Sequence, residues 1–195
     1  MISAVHSQED KERESDERAL RVDLAATFRI AVAFDSHESV SNHFSAAVTA
    51  DDSKFLLNPK WQHFTTIKAS DLLLLDTSDA STMDDPDDPD ATAWCIHGSI
   101  HSMLPVARVL LHCHPPYPSV LCGLENPSIK PIDQNTARFF RRVAIDDNFG
   151  GMGDDAEEDW RIARTFGRHS TMIMSNHGVS VSAVTVAEAF EELYF

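Results

Sequence analysis

The chain is short of positive charge: among 195 residues, 16 Lys and Arg face 31 Asp and Glu, a formal charge of -15. A surface of that sign repels phosphate backbones and anionic lipid, which argues against nucleic acid and membrane surfaces as partners. Long apolar runs are missing too, and no stretch approaches the ~18 residues that a membrane-spanning helix needs. Cysteine is scarce: Cys95, Cys113 and Cys122 form an odd set without CxxC spacing, and no apolar signal segment precedes them. Neither a disulfide framework nor a thiolate zinc site is indicated, so a reducing, cytoplasmic setting is expected. There is no GxSxG elbow for a nucleophilic serine, and no Lys-Ser/Thr phosphate loop or dinucleotide fingerprint surrounds Gly150, Gly151 and Gly153, which read as turn glycines. No internal repeat is visible.

What is present is a hydrophobic content of 43% with charge interspersed, at a length that fits one domain. Residues 1–17 are polar and charge-mixed, which predicts a mobile tail ahead of a single domain over 18–195. From about Glu17, Leu20, Val22, Leu24, Ala25, Phe28, Ile30 and Ala31 recur at roughly helical spacing and predict an opening helix that ends near Asp35 and Ser36. Phe44–Val48 and Lys54–Leu57 read as a hairpin, Leu72–Leu75 as a buried strand, and 77–91 as an acidic surface loop. Beyond it the pattern predicts a helix over Ala93–Met103, a strand over Ala107–Cys113 and a helix from Pro115 or Pro116 to about Gly123. Arg142–Ile145 reads as a strand and Asp154–Phe166 as a helix stopped by Gly167. Strands follow over Thr171–Met174 and Val179–Val181, and a last helix opens at Thr185 with no stop signal before the chain end, as though cut off.

Of the 10 histidines, His97, His101, His112 and His114 fall in one short stretch. His112 and His114 lie two apart at a strand end, so both imidazoles project from one face. His177 sits in a sharp AsnHisGly connection past another strand, where Gly178 is free to take positive φ and present a third imidazole. Three neutral imidazoles leave an open position on a divalent ion, with Zn²⁺ the better match and Mn²⁺ the second. An isolated HxH pair is more often structural than ligating, so the surrounding text decides.

That text is ValLeuLeuHisCysHisProProTyr and SerAsnHisGlyValSerVal, together with the NHxS element Asn42–Ser45, PheLeuLeuAsnPro, IleHisGlySerIleHis and AspAsnPheGlyGly. Taken in their order along the chain, they resemble the class II aldolase/adducin N-terminal domain family, over about Val22 to Phe195. The resemblance implies a three-layer α/β/α fold around a largely antiparallel sheet, commonly a homotetramer with sites between subunits. It also implies metal binding by His112, His114 and His177. The aldolases of the family add an acid/base Glu in a Glu-Trp context, where this chain reads Thr92, Ala93, Trp94. The carboxylate is therefore replaced by Ala93, and the small residues that cradle a sugar phosphate are replaced as well.

His97 and His101, four apart on one helix face, are candidates to flank the metal, with His97 the candidate acid/base and a packing role the plainer reading of His101. Tyr117 is a candidate donor to a substrate oxygen. Asp90 is the nearest upstream carboxylate but reads as a solvated loop residue. Cys113 should face away from its two neighbours. These features predict a metal-dependent carbon–carbon lyase of aldolase or decarboxylase type acting on a small hydroxy- or oxo-acid or sugar-like compound. The rival is an adducin-like scaffold that kept the fold without activity. The apolar stripe Val186, Ala189, Phe190 and Leu193 is expected to need a partner surface, in keeping with a tetramer.

Overall fold

The computed structural model describes residues 8–49, 51, 53–84, 88–148 and 156–195. Seven strands form one sheet: β1 His43–Ala47, β2 Lys54–Leu57, β3 Leu73–Asp76, β4 Val109–Cys113, β5 Val143–Asp146, β6 Thr171–Met174 and β7 Gly178–Ala183. Their order is β3-β2-β1-β4-β7-β6-β5, antiparallel at every step except the parallel β5–β6 edge. That edge is joined through a helix, as parallel neighbours require. The helices are α1 Gln8–Ala33, α2 Ala91–Met103, α3 Pro116–Cys122, α4 Gln134–Ala137, α5 Ala156–Phe166 and α6 Val186–Tyr194.

Strand alternation divides the core in two. Phe44, Val109, Leu111, Cys113, Val179 and Val181 point to one face, where they pack with Leu24 and Phe28 of α1 and with Val186 and Ala189 of α6. Leu110, Ala144, Met172 and Met174 meet Ile96 and Ile100 of α2 and Ile162 and Phe166 of α5 on the other face. The result is the expected three-layer α/β/α arrangement around a largely antiparallel sheet. Cys113 lies in the first layer, opposite His112, as strand parity requires.

Three expectations are corrected. The opening helix starts at Gln8, well before Glu17; the apolar spacing that guided the reading begins only where α1 meets the sheet, and residues 1–7 lie outside the described residues. The α6 stripe needs no partner subunit at Val186 and Ala189, which are buried in the chain's own core. The 77–91 segment is not all loop: Ala80–Asp84 forms a 3-10 turn, and Asp90 caps α2 by accepting from the Ala93 N–H at 3.1 Å. Gly150, Gly151 and Gly153 lie outside the described residues.

Candidate metal centre

Register places the histidines. His112 of β4 stands opposite His43 of β1 on one side and Ser180 of β7 on the other, so all three side chains share the sheet face that carries α2 and α5. His114 follows one strand period later. His177 arrives from the Ser175–His177 connection between β6 and β7, where Asn176 takes the left-handed conformation at φ 57°. The expected positive φ at Gly178 is therefore a misassignment by two residues. Gly178 is required for closeness: a Cβ there would lie 2.3 Å from His114 Cδ2 and 2.7 Å from the Cys113 carbonyl.

His112, His114 and His177 do converge, with one ligand atom from each within 4.8 Å of the others. Two of the rings are held from behind. His114 Nδ1–H donates to Glu38 Oε2 at 2.7 Å, because a carboxylate can only accept. Ser180 Oγ stands 3.0 Å from His112 Nδ1 and 3.6 Å from Met174 Sδ. The Nε2 atoms of His112 and His114 face each other at 3.2 Å. A cation between them would be held by both rings with Glu38 and Ser180 behind, as metal-bound imidazoles are held. Burial and neighbouring rings hold His112 well below its usual range and His177 at about 4, in the neutral ligating form. Asn42 ties the pieces together, accepting from the His114 backbone N–H at 3.1 Å and donating to the Glu38 carbonyl at 2.7 Å.

A cavity of about 410 Å³ opens over this cluster, with Asp90, Thr92 and Ile96 at the start of α2 and Trp61 at its rim. Ala93 packs instead with Phe55, Leu57 and Leu75, 2% exposed. From this segment the cavity therefore receives the Asp90 carboxylate, whose Oδ1 stands 3.9 Å from His43 Nε2. His43 stacks on His112 with ring centroids 5.2 Å apart, and burial lowers its pKa to about 4.

His97 lies behind His43 and is fully buried. Its Nδ1 meets Ser45 Oγ at 2.5 Å, and the same hydroxyl meets His101 Nε2 at 2.7 Å. The shared helix face of His97 and His101 is real, but it forms an interior hydrogen-bonded pair, and neither ring lines the cavity. Tyr117 is 89% exposed and borders a different, apolar cavity of about 470 Å³ beside Phe34, Pro116, Tyr194 and Phe195. Sequence reasoning missed Glu38 and Ser180. Ser180 had a signal, since a serine alternating with valines in a strand buried over Gly178–Ser182 marks a polar inner face. Glu38 had none, being 76 residues from the ring it orients.

The family model described as Class II Aldolase and Adducin N-terminal domain matches residues 22–195. Decarboxylase NovR of Streptomyces niveus is 28% identical over 134 residues, covering 69% of this chain and 48% of that protein. Alpha-adducin of Rattus norvegicus is 27% identical over 187 residues, 92% of this chain and 24% of that protein. The chain spans 67% and 64% of the length of two putative aldolase class 2 proteins that it matches, from Caulobacter vibrioides and Pseudomonas aeruginosa. Among solved structures, an aldolase II superfamily protein from Pseudomonas syringae superposes with a TM-score of 0.83 at 29% identity, covering 92% of this chain and 72% of that one. Motif order, sheet topology and relatives agree: the chain belongs to the class II aldolase and adducin N-terminal domain family.

Proposed function

We propose that this protein is a divalent-metal-dependent carbon–carbon lyase, of aldolase or decarboxylase type, acting on a small hydroxy- or oxo-acid or sugar-like compound. The observation that supports it most is the convergence of His112, His114 and His177, one ligand atom of each within 4.8 Å of the others, with His114 and His177 lining the cavity. An all-imidazole set suits Zn²⁺ first and Mn²⁺ second. Bound there, the ion would supply Lewis acidity toward two adjacent substrate oxygens and stabilise the negative charge left by bond cleavage. The chain's own contributions are separate. Glu38 and Ser180 stand behind the rings and orient them, while Ile96, Ile162 and Met174 contribute apolar surface to the cavity wall. Asp90, with Oδ1 engaged by the Ala93 N–H, is the carboxylate placed to hold or release a proton at the cavity. His97 would act only through His43, and Tyr117 only on a substrate that bridged to the second cavity.

The aromatic rim of that second cavity and the family resemblance support a homotetramer, and the odd set of three cysteines without CxxC spacing fits a cytoplasmic location. Among the described residues, no helix is long and apolar enough to cross a membrane. Elemental analysis of protein purified without added metal should find about one ion per chain. Near-zero occupancy after dialysis against zinc would sink the metal centre. Turnover of candidate hydroxy- and oxo-acids, lost in His114→Ala with the fold intact, would support the lyase. The buried apolar setting of Ala93 favours a second reading, an adducin-like scaffold, for which metal retention without turnover of any candidate is the expected result.

A further inference from the structure

The cavity over the histidines has four carboxylates in its wall, Glu38, Asp90, Asp146 and Glu158, and no Lys or Arg among its described lining. Lys60, next to Trp61 in sequence, and Arg161, which pairs with two of the lining carboxylates, are already committed. Lys60 pairs with Asp88. Arg161 forks onto Asp146, with its second N–H at 2.8 Å from Oδ2, and reaches Glu158 at 2.5 and 2.6 Å. A phosphate dianion entering this space would meet carboxylates without a spare guanidinium or ammonium to receive it. Carboxylates offer only acceptors, so a ligand bearing N–H or O–H donors suits them.

Trp61 stands at the mouth, 71% exposed, and its backbone is held in the left-handed region at φ 60°. For a bulky side chain that conformation is strained, and such strain persists where surrounding structure enforces it. An exposed indole above acceptor-rich walls presents a flat face to whatever enters.

We propose that the cavity takes an unphosphorylated substrate whose hydroxyl-bearing ring stacks on Trp61 and whose hydroxyls donate to the surrounding carboxylates. This rests on the metal-centre reading, because the histidines would hold the reacting end. A sugar ring and a phenol share this chemistry, and the test separates them.

Calorimetric titration of the zinc-loaded full chain would use two pairs of ligands: glucuronate with glucuronate 1-phosphate, and 4-hydroxymandelate with the same acid phosphorylated on its phenol. The unphosphorylated member of at least one pair should bind about tenfold tighter than its ester. Which pair responds identifies sugar or phenol. Trp61→Ala should weaken that ligand about three- to tenfold, Trp61→Phe should restore most of the loss, and both variants should hold the same zinc as the parent. Equal or tighter binding of the esters, indifference to Trp61→Ala, or no binding of any of the four to a zinc-loaded chain would overturn the proposal while leaving the metal centre standing. A chain that takes up no zinc overturns both.

Discussion

Gly178 shows how much of the site depends on a single missing side chain. Its hydrogen occupies space that a methyl group would contest with His114 Cδ2 and the Cys113 carbonyl. Gly178→Ala should therefore push the His114 ring off its line with Glu38, weaken metal binding about tenfold to a hundredfold and lower stability by about 1 to 3 kcal/mol. Competition against a chromogenic chelator and a thermal melt would read the two effects, and unchanged affinity would contradict the geometry. The cysteines give an independent check at the same scale. Burial pushes the Cys113 and Cys122 thiols upward, away from the reactive thiolate, whereas Cys95 is only half-buried. Mass spectrometry after brief alkylation of the native protein should find the label on Cys95, with Cys113 and Cys122 modified only after unfolding.

At the level of elements, periodicity and punctuation carried the reading far. Thr171–Met174 and Lys54–Leu57 were legible to the residue, because β-branched or apolar runs there end at turn-forming neighbours. The four-residue α4 was not, since a single turn has no period to detect. Pairings were equally illegible: nothing in the local text of HisCysHis says that Glu38 will stand behind one ring and Ser180 behind the other, because register across a sheet is a tertiary fact. The link between β5 and α5 belongs to this scale as well. Asp146 is 5% exposed and depends on the Arg161 fork from the helix. Arg161→Met would strand that carboxylate and should cost about 3 kcal/mol, read as a lowered midpoint in urea with little change in slope. A neutral outcome would mean that water replaces the guanidinium.

For the whole molecule, the outstanding question is how many copies assemble. The α6 stripe offers no support at Val186 and Ala189, but Tyr117, Tyr194 and Phe195 leave aromatic surface around the second cavity open to solvent. Such rims are commonly covered by another surface. Light scattering at micromolar concentration should give the mass of a tetramer, and a monomer alone would count against assembly. The pairing of His112 with Ser180, 68 residues apart, has a bearing on time as well as space. Closing so long a loop is slow compared with forming a helix or a hairpin. The imidazole cluster comes into existence with the central ladder itself, so a refolding chain should acquire its ion late, and the ion would then act as a latch on a long-range strand pair.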